Sequence, residues 1–146
     1  MALQLTRGRG RMDRRRFVAF LGGALAAPLA RAQRRLPRVA VLTYAAGPFT
    51  DQNVGAFRAG MKDIGYEDGR NVAIEVQHGH FSRETTDRLA AQVVASNPAV
   101  IVSQSYATRA VLARTQTIPV VCTHSADMVL QGMIQSLARP GGNLTG

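Results

Sequence analysis

Two hydroxyls and an aromatic ring fall within four residues in Ser103-Gln104-Ser105-Tyr106. They follow a short apolar run and open a helical stretch. Hydroxyls and backbone N–H groups at such a junction can hold a carboxylate, with the helix dipole in support. Ser105 also fits plain capping of that helix. Asp127 closes the next loop in the same row. It can take a ligand ammonium, or cap a helix starting at Met128. His124 belongs to the same loop. Tyr44 ends the first apolar run of the chain. Tyr44 and Tyr106 can each offer a ring face and a polar tip to a planar ligand, although Tyr44 equally suits strand packing. The expected ligand-binding residues are therefore Tyr44, Ser103, Ser105, Tyr106, His124 and Asp127.

Other chemistries lack their residues. Tyr44-Ala45-Ala46-Gly47-Pro48 is neither a phosphate-binding loop nor a dinucleotide glycine fingerprint. No serine sits in a nucleophile elbow, and no short metalloprotease motif occurs. No catalytic residue is assigned. His78, His80 and His124 together offer three imidazoles to zinc or copper. No carboxylate or thiolate is spaced to join them, so rim or surface histidines are the plainer reading. No metal and no cofactor are expected. Cys122 is the single cysteine, which excludes an internal disulfide framework. It is expected to be a buried, inert thiol at a strand end.

These residues need elements to position them. Arg38-Val39-Ala40-Val41-Leu42-Thr43-Tyr44 reads as a strand buried on both faces. Residues 45–50 read as a loop. Asp51 is expected to cap a helix reaching Ile64, with Val54, Phe57, Met61 and Ile64 on one face and Gly65 ending it. Residues 71–77 alternate and read as a half-exposed edge strand. A loop over His78 to Phe81 follows, then a helix over 83–96 that Asn97-Pro98 stops. Residues 99–102 and 117–122 read as further strands, and 107–116 and 128–138 as further helices. Arg139-Pro140-Gly141-Gly142-Asn143 is a strong break, with nothing expected to pair beyond it. The pattern βαβαβαβα calls for an α/β fold, a parallel sheet with helices on both faces. Ligands of such sheets bind at the carboxyl ends of the strands, here after strands one, three and four.

The 146 residues carry a net charge of +9. Such a balance points toward nucleic acid if it belongs to the folded part. It does not sit there. Residues 1–32 hold seven arginines and one acid, a net of +6, and residues 33–146 hold 11 basic and 8 acidic groups, a net of +3. The first segment has the layout of an export signal. A basic region ends at Arg16, and thirteen residues without charge run from Phe17 to Leu29. Ala30-Arg31-Ala32 then places small residues where signal peptidase reads them. The apolar run is shorter than the roughly 20 residues of a permanent span. Arg14, Arg15 and Phe17 resemble a twin-arginine signal, with the general secretory route as the alternative. Residues 1–32 are thus expected to be a signal peptide, with Met1 or Met12 as the start. Residues 33–146 are expected to be soluble, periplasmic and monomeric, without nucleic acid as a partner.

Three stretches carry a family resemblance. Arg14-Arg15-Arg16-Phe17 with Leu21-Gly22-Gly23-Ala24 is one. Ala56-Phe57-Arg58-Ala59-Gly60-Met61 through Ile64-Gly65-Tyr66-Glu67-Asp68-Gly69-Arg70-Asn71-Val72 is the second. Ser136-Leu137-Ala138-Arg139-Pro140-Gly141-Gly142-Asn143-Leu144-Thr145-Gly146 is the third and most distinctive. In these the chain resembles ABC transporter substrate-binding proteins, of the family with tryptophan- and tyrosine-binding members. The resemblance implies one lobe of a type I periplasmic-binding-protein fold, with the second lobe lying beyond Gly146. It implies capture of a small amino-acid-like or aromatic ligand for the membrane subunits of an ABC importer, without catalysis. Two loops depart from the family pattern, at Gln104-Ser105-Tyr106 and at Asp127-Met128-Val129-Leu130-Gln131-Gly132. An exported α/β hydrolase, with His124 and Asp127 in its site and its nucleophile elsewhere, is the alternative.

Overall fold

Runs of branched apolar residues between Pro- and Gly-rich breaks form the strands, and the direction of each crossover fixes the layers. The structure is a computed structural model that describes residues 36–124 and 127–146. In chain order it contains β1 (Arg38–Thr43), α1 (Pro48–Asp63), β2 (Ala73–His78), α2 (Arg83–Ala95), β3 (Val100–Gln104), α3 (Tyr106–Leu112), β4 (Val120–His124) and β5 (Leu144–Thr145). The sheet order is β2-β1-β3-β4-β5, and every pairing is parallel. From β1 the chain moves outward to β2, then returns past β1 to β3. Right-handed crossovers require the helices of those two moves to lie on opposite faces.

The cores follow that rule. On the α1 face, Val39, Val41, Ile74 and Val102 pack beneath Val54, Phe57 and Met61. On the other face, Ala40, Leu42, Ile101, Val120 and Cys122 pack beneath Ala90 and Val93 of α2 and Ala107, Ala110 and Val111 of α3. Alternate residues of one strand therefore feed different layers. Each fully buried branched residue contributes roughly 1.5–3 kcal/mol relative to exposure. The expected edge strand is at the edge. The Cys122 thiol is free and buried.

Several boundaries differ from expectation. Helix α1 begins at Pro48, with Gly47 as its cap. Proline's fixed φ suits the first helical position, so Asp51 lies within the first turn and does not cap it. Ile64 falls beyond the helix and is 70% exposed. His78 belongs to β2, not to a loop. Strands β3 and β4 each run two residues further than the apolar runs, to Gln104 and His124. Helix α3 stops at Leu112, because the Thr115 hydroxyl accepts from the backbone N–H groups of Thr117 and Ile118 and turns the chain.

The largest correction concerns residues 128–138. They form turns, not a helix. Asp127 Oδ1 accepts from the N–H groups of Val129 and Leu130, and Gly132 then takes φ +67°. A left-handed residue there breaks the helical path. Met128, Met133 and Ile134 still pack against the α2/α3 face. The second correction is β5. Leu144 is buried and pairs in register with Val120, so the break is followed by a fifth parallel strand. Asn143 aims the chain there by donating to the Ile118 carbonyl at 2.7 Å.

Among the described residues, no helix is long and apolar enough to cross a membrane. Arg14, Arg15, Phe17, Ala30 and Ala32 lie outside the described residues.

Candidate ligand-binding site

The carboxyl ends of β1, β3 and β4 form a row, and the polar residues that follow each apolar run stand along it. On the α1 side of the row is a cavity of about 440 Å³. Small-ligand sites typically span about 300–1,000 Å³. Val41 and Val102 line its depth, and Thr43, Asn53, Gln104 and Thr123 bring polar groups to it. Phe49 stands at the wall, 76% exposed. Thr43, Gln104 and Thr123 were not among the expected site residues. Their signal was period-two alternation: each lies two positions past a valine of the α1 face.

An aromatic cluster belongs to the same strand ends. The rings of Tyr44 and Tyr106 are 5.5 Å apart, tilted by 59°, and Tyr44 meets Phe81 edge-on at 6.0 Å. The Tyr44 hydroxyl donates to the Phe81 carbonyl at 2.8 Å. Tyr106 is held from three sides, by Tyr44, Asp87 and Arg83. Its hydroxyl donates to Asp87 at 3.0 Å, the Arg83 guanidinium sits 5.2 Å over its ring, and Arg114 flanks Asp87 at 3.6 Å. The hydrogen bond to Asp87 raises the Tyr106 phenol above its ordinary value, with desolvation adding to it. Tyr106 is thus an aromatic surface with few rotamers left to lose.

The hydroxyls differ from one another. Ser103 is 1% exposed and shares a 3.0 Å hydrogen bond with Thr108. Ser105 is exposed, precedes α3 and makes no side-chain cap bond. Its backbone has φ 53° and ψ −131°, a region that costs a non-glycine residue on the order of 1–3 kcal/mol. Asp127 is exposed, with one oxygen occupied by its own turn. The backbone of His124 pairs with Gln104 across a register shift. His78 is bonded to Thr43 and faces Asp51, and its ring lies 6.3 Å from that of His80. Among the described residues, no three His, Cys, Asp or Glu side chains come together as metal ligands.

A family model described as ABC transporter substrate binding protein matches residues 38–146, which includes every described strand. The chain belongs to that family. A tyrosine-binding protein of Clostridioides difficile (strain R20291) is 32% identical over 100 residues, 68% of this chain and 29% of the relative. A conserved domain protein from Vibrio cholerae superposes with a TM-score of 0.72 at 30% identity, over 77% of this chain and 38% of its own. A ligand-free, open substrate-binding protein with adhesive properties from Clostridium difficile gives 0.71 at 24% identity. An ABC domain in complex with L-Trp from Streptococcus pneumonia gives 0.71 at 23%. The chain spans well under half the length of these proteins. This member of the family has the architecture of one lobe of a periplasmic-binding-protein fold.

Proposed function

We propose that the strand-end row forms one wall of a cleft that captures an aromatic amino acid for an ABC importer. The observation that carries this reading is the braced Tyr106 ring beside Tyr44 at the strand ends, while a cavity of ligand size opens on the α1 side of the same row. The relatives support it: one curated relative is a tyrosine-binding protein, and one structural neighbour holds L-Trp. In this reading Tyr106 and Tyr44 meet the ligand ring. Ser105 donates to its carboxylate. Asp127 receives its ammonium through the oxygen its turn leaves over, with His124 at the end of β4 just before it. Ser103 acts from below, holding Thr108 and the floor of the row. A second lobe closes over the ligand, as hinge-closing binding proteins do. The chain is exported through residues 1–32, works in the periplasm as a monomer and does no chemistry.

Thermal-shift and calorimetric titration of the full chain with L-tyrosine and L-tryptophan test the reading. The melting temperature should rise with either ligand, and Tyr106→Ala should weaken binding about 10-fold, the worth of one lost stacking contact of about 1.4 kcal/mol. No ligand-dependent rise with either amino acid would remove the aromatic assignment.

A further inference from the structure

His78 has more chemistry around it than the cleft requires. It closes β2, in register with Thr43 at the end of β1. Its Nδ1 lies 2.8 Å from Thr43 Oγ1. The Thr43 hydroxyl has one hydrogen, and donates it to the Ala45 carbonyl at 2.7 Å. A hydroxyl whose hydrogen is engaged can only accept a further bond. Nδ1 therefore carries a hydrogen and donates it to Thr43. Neutral His78 is then left with its lone pair on Nε2. That nitrogen faces Asp51 Oδ1 at 3.7 Å. A lone pair opposite a carboxylate makes no bond, whereas a proton on Nε2 turns the contact into an ion pair with a donor.

The partners of this contact matter for the cleft. Asp51 lies in the first turn of α1, directly after Thr50. Thr43, Phe49 and Thr50 all line the cavity. His80, in the loop after β2, is a further ionisable group beside His78 among the described residues, and a proton there opposes one on His78. The side chains of His78 and Asp51 are 25% and 66% exposed, so water reaches the pair and a proton can enter and leave.

We propose that His78 is a proton-operated tie between the sheet edge and the lip of the cavity: neutral, it holds β1 through Thr43, and protonated it also draws in the first turn of α1 through Asp51. The tie itself is independent of the ligand, and only its bearing on ligand capture rests on the function proposed above.

Long-range ¹H–¹⁵N NMR of the imidazoles in the full, ligand-free chain tests it between about pH 5 and 8, where histidine changes charge. Neutral His78 should carry its hydrogen on Nδ1; a hydrogen on Nε2 overturns the proposal. The Thr50 and Asp51 amide resonances should shift as His78 gains its proton. That shift should vanish in Asp51→Asn, a change at an exposed position, and in His78→Gln. It should persist in His80→Gln. A shift that survives Asp51→Asn, or disappears with His80→Gln, overturns the tie. Because no ligand is present, failure to bind aromatic amino acids leaves this outcome unchanged, and the reverse also holds.

Discussion

Tyr106 shows how one residue's chemistry depends on its neighbours. Its phenol donates to the Asp87 carboxylate, a bond that only the protonated phenol can make. Folded Tyr106 therefore keeps its proton to higher pH than the unfolded chain, where tyrosine titrates near 10.0. The stability this bond supplies is whole below that pH and disappears as pH rises through the folded Tyr106 value. Asp87→Ala removes the acceptor and should bring the phenol back toward its ordinary value. Ring ¹³C resonances resolve Tyr106 from the other two tyrosines and follow its titration. A Tyr106 titration left unmoved by Asp87→Ala would show that desolvation, not the hydrogen bond, sets the shift. The substitution also frees the ring from one of its three supports, so ligand affinity and phenol titration should change together.

At the scale of elements, the sheet depends on places where one element comes very close to another. Gly79 follows β2 and donates to the Thr43 carbonyl at 2.8 Å. A methyl group there would stand 3.2 Å from that carbonyl oxygen and would collide with the buried Thr86 side chain of α2. Gly79→Ala should therefore push α2 from the sheet edge and cost about 1–3 kcal/mol, read as a lower urea midpoint at unchanged slope. An unchanged midpoint would mean that Thr86 rotates away freely. This crowding was not legible in the sequence, where Gly79 appears only as a loop residue between two histidines. What the sequence did make legible was periodicity. The continuous burial of Val39 to Leu42 and the face of Val54, Phe57 and Met61 both appear where the pattern places them. It misled where a local bond overrides propensity. Residues 128–138 alternate plausibly as a helix, but the Asp127 carboxylate closes a single turn and Gly132 leaves the helical region. Leu144 was too short a signal to read as a strand, because two residues carry no period; Asn143, bonded to the Ile118 carbonyl, supplies the register. Tyr44, Ser105 and Tyr106, none of which lines the cavity, were legible at the strand ends as polar or aromatic residues after apolar runs. Thr43, Gln104 and Thr123 were not, because their role depends on which face α1 covers.

For the whole molecule, the deciding quantity is where the charge sits. The chain's net +9 falls to +3 when residues 1–32 are left out, and the family match begins only at Arg38. Among the described residues, basic groups are matched by acids close at hand: Arg38 with Glu75, Arg58 with Asp68, Arg70 with Glu67, and Arg114 with Asp87. Such surface pairs add little stability, typically up to about 1 kcal/mol each. Their larger effect is on the field, since a paired arginine presents less net charge to a polyanion. Binding to DNA through released counterions would give a log affinity that falls with log salt by about 0.9 for each phosphate neutralised. Residues 33–146 should therefore show no steep salt-dependent retention on DNA or heparin, while the full chain should be retained at low salt through its arginine-rich front. Titration of both forms against a duplex, at several salt concentrations, separates the two sources. A steep slope that persists in residues 33–146 would place the basic surface on the lobe itself and reopen a nucleic-acid function.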